Sequence, residues 1–79
     1  MERNYKAEIE AILFTMGESV DINKIANALE IKPSEVKKIV KEMQKEMDTP
    51  ERGVKIIELD GAYQMCTKPE MYEALINKV

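Results

Sequence analysis

The run Val54-Lys-Ile-Ile-Glu-Leu59, Asp60-Gly61, Ala62-Tyr-Gln-Met-Cys-Thr67 decides the fold. Two stretches rich in β-branched and aromatic residues flank an Asp-Gly pair. A two-residue type I′ turn needs positive φ at both central positions, which Asp and Gly supply. The spacing predicts a β-hairpin with Leu59 opposite Ala62, Ile57 opposite Gln64 and Lys55 opposite Cys66 on one face. Val54, Ile56, Glu58, Tyr63, Met65 and Thr67 take the other face. Both faces hold apolar residues, whereas a small solitary hairpin should be polar on one side. Ile57 and Leu59 therefore either meet a neighbouring helix or form an adhesive outer surface.

Upstream of the hairpin the apolar period is that of a helix. Tyr5, Ile9, Ile12, Leu13 and Met16 mark one face of a first helix over Asn4–Met16, ended by Gly17. Asp21 is placed to cap a short second helix, Ile22 to about Leu29, that buries Ile22, Ile25, Ala26 and Leu29. Pro33 suits the first turn of a third helix, and Glu35 lies near its positive dipole end. Val36, Ile39, Val40, Met43 and Met47 form its stripe, and Thr49-Pro50 stops it near Asp48. Downstream of the hairpin, Thr67-Lys-Pro-Glu70 has the form of a capping box. It would open a last helix with Met71, Tyr72, Leu75, Ile76 and Val79 as its apolar residues. Because the second and third helices are only a few residues apart, the expected fold class is α+β, a winged helix. Its parts are a three-helix helix-turn-helix core, a two-stranded β-hairpin wing and a C-terminal helix.

Composition narrows what such a domain can do. The 79 residues make one domain, and chains of this size bury only about 60% of their unfolded surface, so a permanent partner would add stability. With 44% hydrophobic and 34% charged residues, the chain has material for a core. Met1-Glu-Arg-Asn4 leads straight into a charged helical pattern, without a secretory signal. No apolar run approaches the roughly 20 residues that span a bilayer. A soluble, cytoplasmic protein is expected, and the lone Cys66 fits a reducing compartment. With no histidine, the usual zinc sets and imidazole-based triads are excluded. Cys66 reads as a strand filler, the methionines as packing, and the acidic residues as scattered over helix faces. A non-catalytic protein without cofactor or metal is expected. The apolar last residue, Val79, fits one domain taken from a longer protein.

A net charge of −3 and a pI near 5.0 argue against a surface devoted to nucleic acid. One local line is basic: Ser34, Lys38, Lys41 and Lys45 project opposite the stripe of the third helix, with Lys37 and Gln44 on one shoulder. Glu35, Glu42 and Glu46 flank it, and it lacks the Arg or Asn that read base edges. It reads first as a solvated face, then as weak phosphate contact through Lys38, Lys41 and Lys45, and last as sequence-specific readout.

The first helix carries a second apolar line, Ala7, Ala11 and Phe14, about 180° from its main stripe. Either the helix is central and covered on both sides, or Phe14 reaches a partner. Phe14, Ile57, Leu59, Tyr72 and Ile76 together exceed what one small core covers, and they are the interface candidates for a symmetric dimer.

Three segments resemble the N-terminal domain of the segregation and condensation protein B family. They are Ala11-Ile-Leu-Phe-Thr-Met-Gly-Glu-Ser-Val20, Ile25-Ala-Asn-Ala-Leu29 and Arg52 to Glu70. The most specific part is the wing, where a Gly-apolar-x-apolar run leads through a Gly turn into Tyr-Gln-x-x-Thr-x-Pro-Glu. Glu30 stands where the family commonly has a helix-ending Gly, and Lys32 where a Ser or Thr cap is common. The resemblance implies an accessory subunit of the bacterial SMC condensin, acting in chromosome partition and cell division. It further implies two winged-helix domains in tandem, this chain being the first, a homodimer, and binding to the kleisin subunit that joins the SMC ATPase. Nucleic acid would be met indirectly or weakly, no membrane is involved, and the protein would sit at the nucleoid through its complex. The leading rival class is a winged-helix transcription regulator.

Overall fold

Local chemistry sets each helix boundary in the computed structural model, which describes residues 3–78. Asn4 Oδ1 accepts from the Ala7 N–H at 3.1 Å and starts α1 (Tyr5–Met16). Gly17, at φ 67°, ends it by donating its N–H to Leu13 O. Asp21 Oδ1 accepts from the Asn23 N–H at 2.7 Å and starts α2 (Ile22–Leu29). Pro33 opens α3 (Pro33–Met47), where its missing N–H costs nothing. The Glu35 carboxylate accepts from the Lys32 N–H at 3.2 Å. That is half of a capping box, because a lysine ammonium has no lone pair with which to complete it.

The hairpin follows the expected register. β2 (Val54–Leu59) pairs antiparallel with β3 (Ala62–Thr67), with Leu59 opposite Ala62, Ile57 opposite Gln64 and Lys55 opposite Cys66. Asp60 and Gly61 take φ 46° and 80°, as a type I′ turn demands. The wing is nevertheless not two-stranded. Val20 and the helix cap Asp21, for which the sequence predicts no strand, form a strand, β1, on the free side of β3, opposite Tyr63 and Ala62. The sheet order is β1-β3-β2. Two residues are too short to show a period, so only the tertiary pairing reveals this strand.

α1, α2 and α3 enclose Ile9, Leu13, Ile25, Leu29, Val36 and Val40, all essentially without solvent contact. The sheet closes the core with Ile56, Tyr63 and Val20, while Val54 and Met65 pack at its edge. At about 25 cal/mol per Å², each fully buried Val, Leu or Ile contributes roughly 1.5–3 kcal/mol.

Three expectations are corrected here. Met16 belongs by spacing to the core stripe of α1 but is 48% exposed, because it lies in the last turn beside the Gly17 cap. α1 is not covered on both sides, since Ala7, Ala11 and Phe14 are all exposed. The Thr67 capping box does not form, because Thr67 is committed to β3 opposite Val54. The chain instead passes through a 3-10 turn (Pro69–Met71), capped at Lys68 without a side-chain hydrogen bond, into α4 (Tyr72–Lys78). Val79, expected on that last helix, lies outside the described residues. No helix among the described residues is long and apolar enough to cross a membrane.

Candidate interaction surfaces

α3 divides the surface by charge. Lys6 on α1 pairs with Glu46 at 2.5 Å and with Glu42 at 3.4 Å. Its hydrogen bond to Glu46, then that to Glu42, raises the Lys6 ammonium above the usual lysine range. Glu42 and Glu46 are thus drawn to the α1 side of α3. On the wing side lysines outnumber the carboxylates Asp48, Glu58 and Glu70. Lys37, Lys38, Lys41 and Lys45 all line an open groove between α3 and the hairpin, and Lys55 joins them from β2. Its two lobes, about 540 and 440 Å³, meet at Lys41 and Gln44. The groove floor includes Met47, Ile56 and Tyr63, each at most 4% exposed. Burial, helped by Glu58, pushes the Tyr63 phenol up from its ordinary value.

Gln44, the groove's amide, is already engaged: its Nε2 donates to Ile56 O at 2.8 Å and ties α3 to the edge of the wing. Lys68 is buried, and its Nζ donates to Met47 O at 2.5 Å and Thr49 O at 2.9 Å. Met47 O is the last carbonyl of α3, where a helix dipole favours a cation, and Thr49 O lies just beyond the helix cap. Sequence reading misses Lys68, since its partners lie 21 and 19 residues away.

The interface candidates sit on three separate elements. Phe14 on α1 is 78% exposed and Ile76 on α4 is 76% exposed. Tyr72 on α4 and Leu59 at the tip of β2 are about half exposed, and Ile57 is half-buried. Leu75 of α4 and Met16 of α1 extend these apolar surfaces. α4 packs chiefly on the 3-10 turn that precedes it and makes no extensive contact with β2 among the described residues. Lys38, Lys41 and Lys45, by contrast, are brought together and joined by Lys55.

A helix-turn-helix core with a closed wing, a lysine face without arginine, and unburied apolar residues define a winged-helix interaction module. A profile of the segregation and condensation complex subunit ScpB matches residues 7–79, and the chain belongs to that family. It is 61% identical over 74 residues to the segregation and condensation protein B of Agathobacter rectalis, covering 92% of this chain and 40% of that protein. Its identity to the Lachnoclostridium phytofermentans protein is 50% over 74 residues, covering 94% and 39%. The chain therefore spans about two fifths of the length of these relatives. Among solved structures, a dimer of the ScpB N-terminal domain complexed with an ScpA peptide is similar at TM-score 0.88 and 35% identity, covering 94% of this chain and 93% of that one. ScpB from Mycobacterium tuberculosis shares the fold at TM-score 0.86 and 19% identity, over 98% and 50%.

Proposed function

We propose that this chain is the first of two winged-helix domains in a non-catalytic accessory subunit of the chromosome condensin. It pairs with a second copy and binds the kleisin subunit, which links it to the SMC ATPase, at the nucleoid and within the cytoplasm. The observation that carries this reading is the ScpB N-terminal domain, similar over 93% of its length and crystallised as a dimer with an ScpA peptide. The exposed Phe14, Tyr72 and Ile76, with Leu59 and Ile57 on the wing, are the residues proposed to meet the second copy. A transcription regulator would need base-reading side chains on α3, and Gln44, the groove's amide, is held by Ile56 O.

The test is calorimetric titration of the chain with a segment of ScpA from the same genome, matched to the ScpA peptide of the solved complex. Saturable binding in the micromolar range or tighter is expected. No heat at about 100 μM of each component, near the weak end of specific association, would remove the kleisin from this reading.

A further inference from the structure

The lysine groove has no part in the proposed pairing, which uses apolar residues of α1, α4 and the wing. Lys68 apart, five lysines line it, Lys37, Lys38, Lys41 and Lys45 along α3 and Lys55 on β2, against three carboxylates, Asp48, Glu58 and Glu70. None of them is in an ion pair among the described residues, where the ion pairs are those of Arg3 with Glu8 and of Lys6 with Glu42 and Glu46. Of the glutamates that flank the lysine line in sequence, Glu42 and Glu46 are held against α1 by Lys6, and Glu35 accepts from the Lys32 N–H. The protein as a whole is acidic, at −3, so a locally basic groove is opposed to its overall charge.

We propose that this groove is a sequence-independent contact for the phosphate backbone of a nucleic acid duplex. The chemistry favours phosphate over the alternatives. An acidic protein segment would also seat apolar side chains on an apolar interface core, yet the apolar residues Met47, Ile56 and Tyr63 are at most 4% exposed and offer little surface for them. Single strands are held by stacking bases on aromatic rings, and the Tyr63 ring is buried. Base readout draws on Arg, Asn or Gln, and Gln44, the one such side chain lining the groove, already donates to Ile56 O. What remains is a row of point charges at i, i+1, i+4 and i+8 on α3, with a further charge across the groove. That suits phosphates.

The experiment is fluorescence anisotropy of a short labelled duplex titrated with the chain over a range of salt. Expected dissociation constants are about 10⁻⁴–10⁻⁶ M at physiological salt, equal for scrambled sequences. The log–log salt slope should lie between about −2.7 for three phosphates and −4.5 for five. Lys41→Gln, Lys45→Gln and Lys55→Gln should each reduce the slope by about 0.9. Arg52→Gln, which removes the same charge on the α1 side of α3, should leave it unchanged, and circular dichroism confirms that each variant is folded. Equal losses from Arg52→Gln and the lysine variants would overturn the proposal by reducing it to net charge. So would tighter binding of poly-glutamate than of duplex, which gives the groove to an acidic protein. Loss of ScpA-segment binding in the lysine variants would likewise assign the groove to the kleisin. No duplex binding at low salt would end the idea while leaving the kleisin reading intact.

Discussion

At the scale of single residues, two positions show how backbone conformation and residue type agree or conflict. Glu30 closes α2 at φ 59° and ψ 42°, a left-handed conformation that costs an L residue about 1–2 kcal/mol and glycine nothing. Its N–H and that of Ile31 satisfy the last carbonyls of the helix, so the conformation is needed there. Glu30→Gly should raise stability by up to about 1 kcal/mol, the greater freedom of glycine when unfolded offsetting part of the gain. In a thermal melt this appears as a rise of a few degrees, and a fall would mean that the Glu30 side chain holds something the backbone does not reveal. Gly61, at φ 80°, is the reverse case. Nothing lies within 4 Å of a Cβ built there, so Gly61→Val should cost only the backbone strain, about 1–2 kcal/mol. An unchanged melting temperature would deny that strain. Both positions are legible in the sequence, one from the Asp-Gly pair and the other from the family's usual glycine. Lys68 is not, because its role depends on the chain returning to the end of α3.

Elements were legible wherever a period repeats. α1, α2, α3 and both hairpin strands follow from apolar spacing and their caps, because a stripe of four or five residues outweighs any single one. The failures are short elements governed by their surroundings: β1 has two residues, and the Thr67 box was overridden when Thr67 joined the sheet. Lys68 takes over at that joint by binding the end of α3 and so fixes where the wing hands over to α4. Hydrogen bonds from a charged donor contribute about 1.5–3 kcal/mol, and a buried carbonyl left unpaired is costly. Lys68→Met, which keeps the apolar stem, should destabilise the domain by about 1–3 kcal/mol in urea unfolding. Equal midpoints for the variant and wild type would show that water replaces the ammonium without loss. The candidate surfaces were half legible: Lys38, Lys41 and Lys45 could be aligned from helix geometry, but the removal of Glu42 and Glu46 by Lys6 bridges 36 to 40 residues and is visible only in the fold.

On the scale of the whole molecule, shape and exposed apolar surface point the same way. The radius of gyration is 13.4 Å and the extents are 41 × 25 × 20 Å, whereas a compact chain of this length would have a radius near 11.6 Å. α4 has 7 residues, well under the roughly 12–15 at which an isolated helix becomes marginal in water. Its Tyr72, Leu75 and Ile76 make an i, i+3, i+4 stripe that the single chain leaves exposed. Such a helix needs a surface to lie on, and a second copy supplies one: a patch repeated under two-fold symmetry closes on itself without propagating. Wild type should therefore sediment as a dimer at micromolar concentrations. Burying an exposed Ile or Phe contributes about 1.5–3 kcal/mol, so Ile76→Glu and Phe14→Glu should each weaken dimerisation at least about ten-fold. Circular dichroism should stay close to wild type, because both residues lie outside the core. Sedimentation velocity over a concentration series reads the result. A chain that remains monomeric up to about 100 μM would rule out a second copy as the cover of α4. If only Ile76→Glu weakens the dimer, α4 belongs to the interface and Phe14 does not.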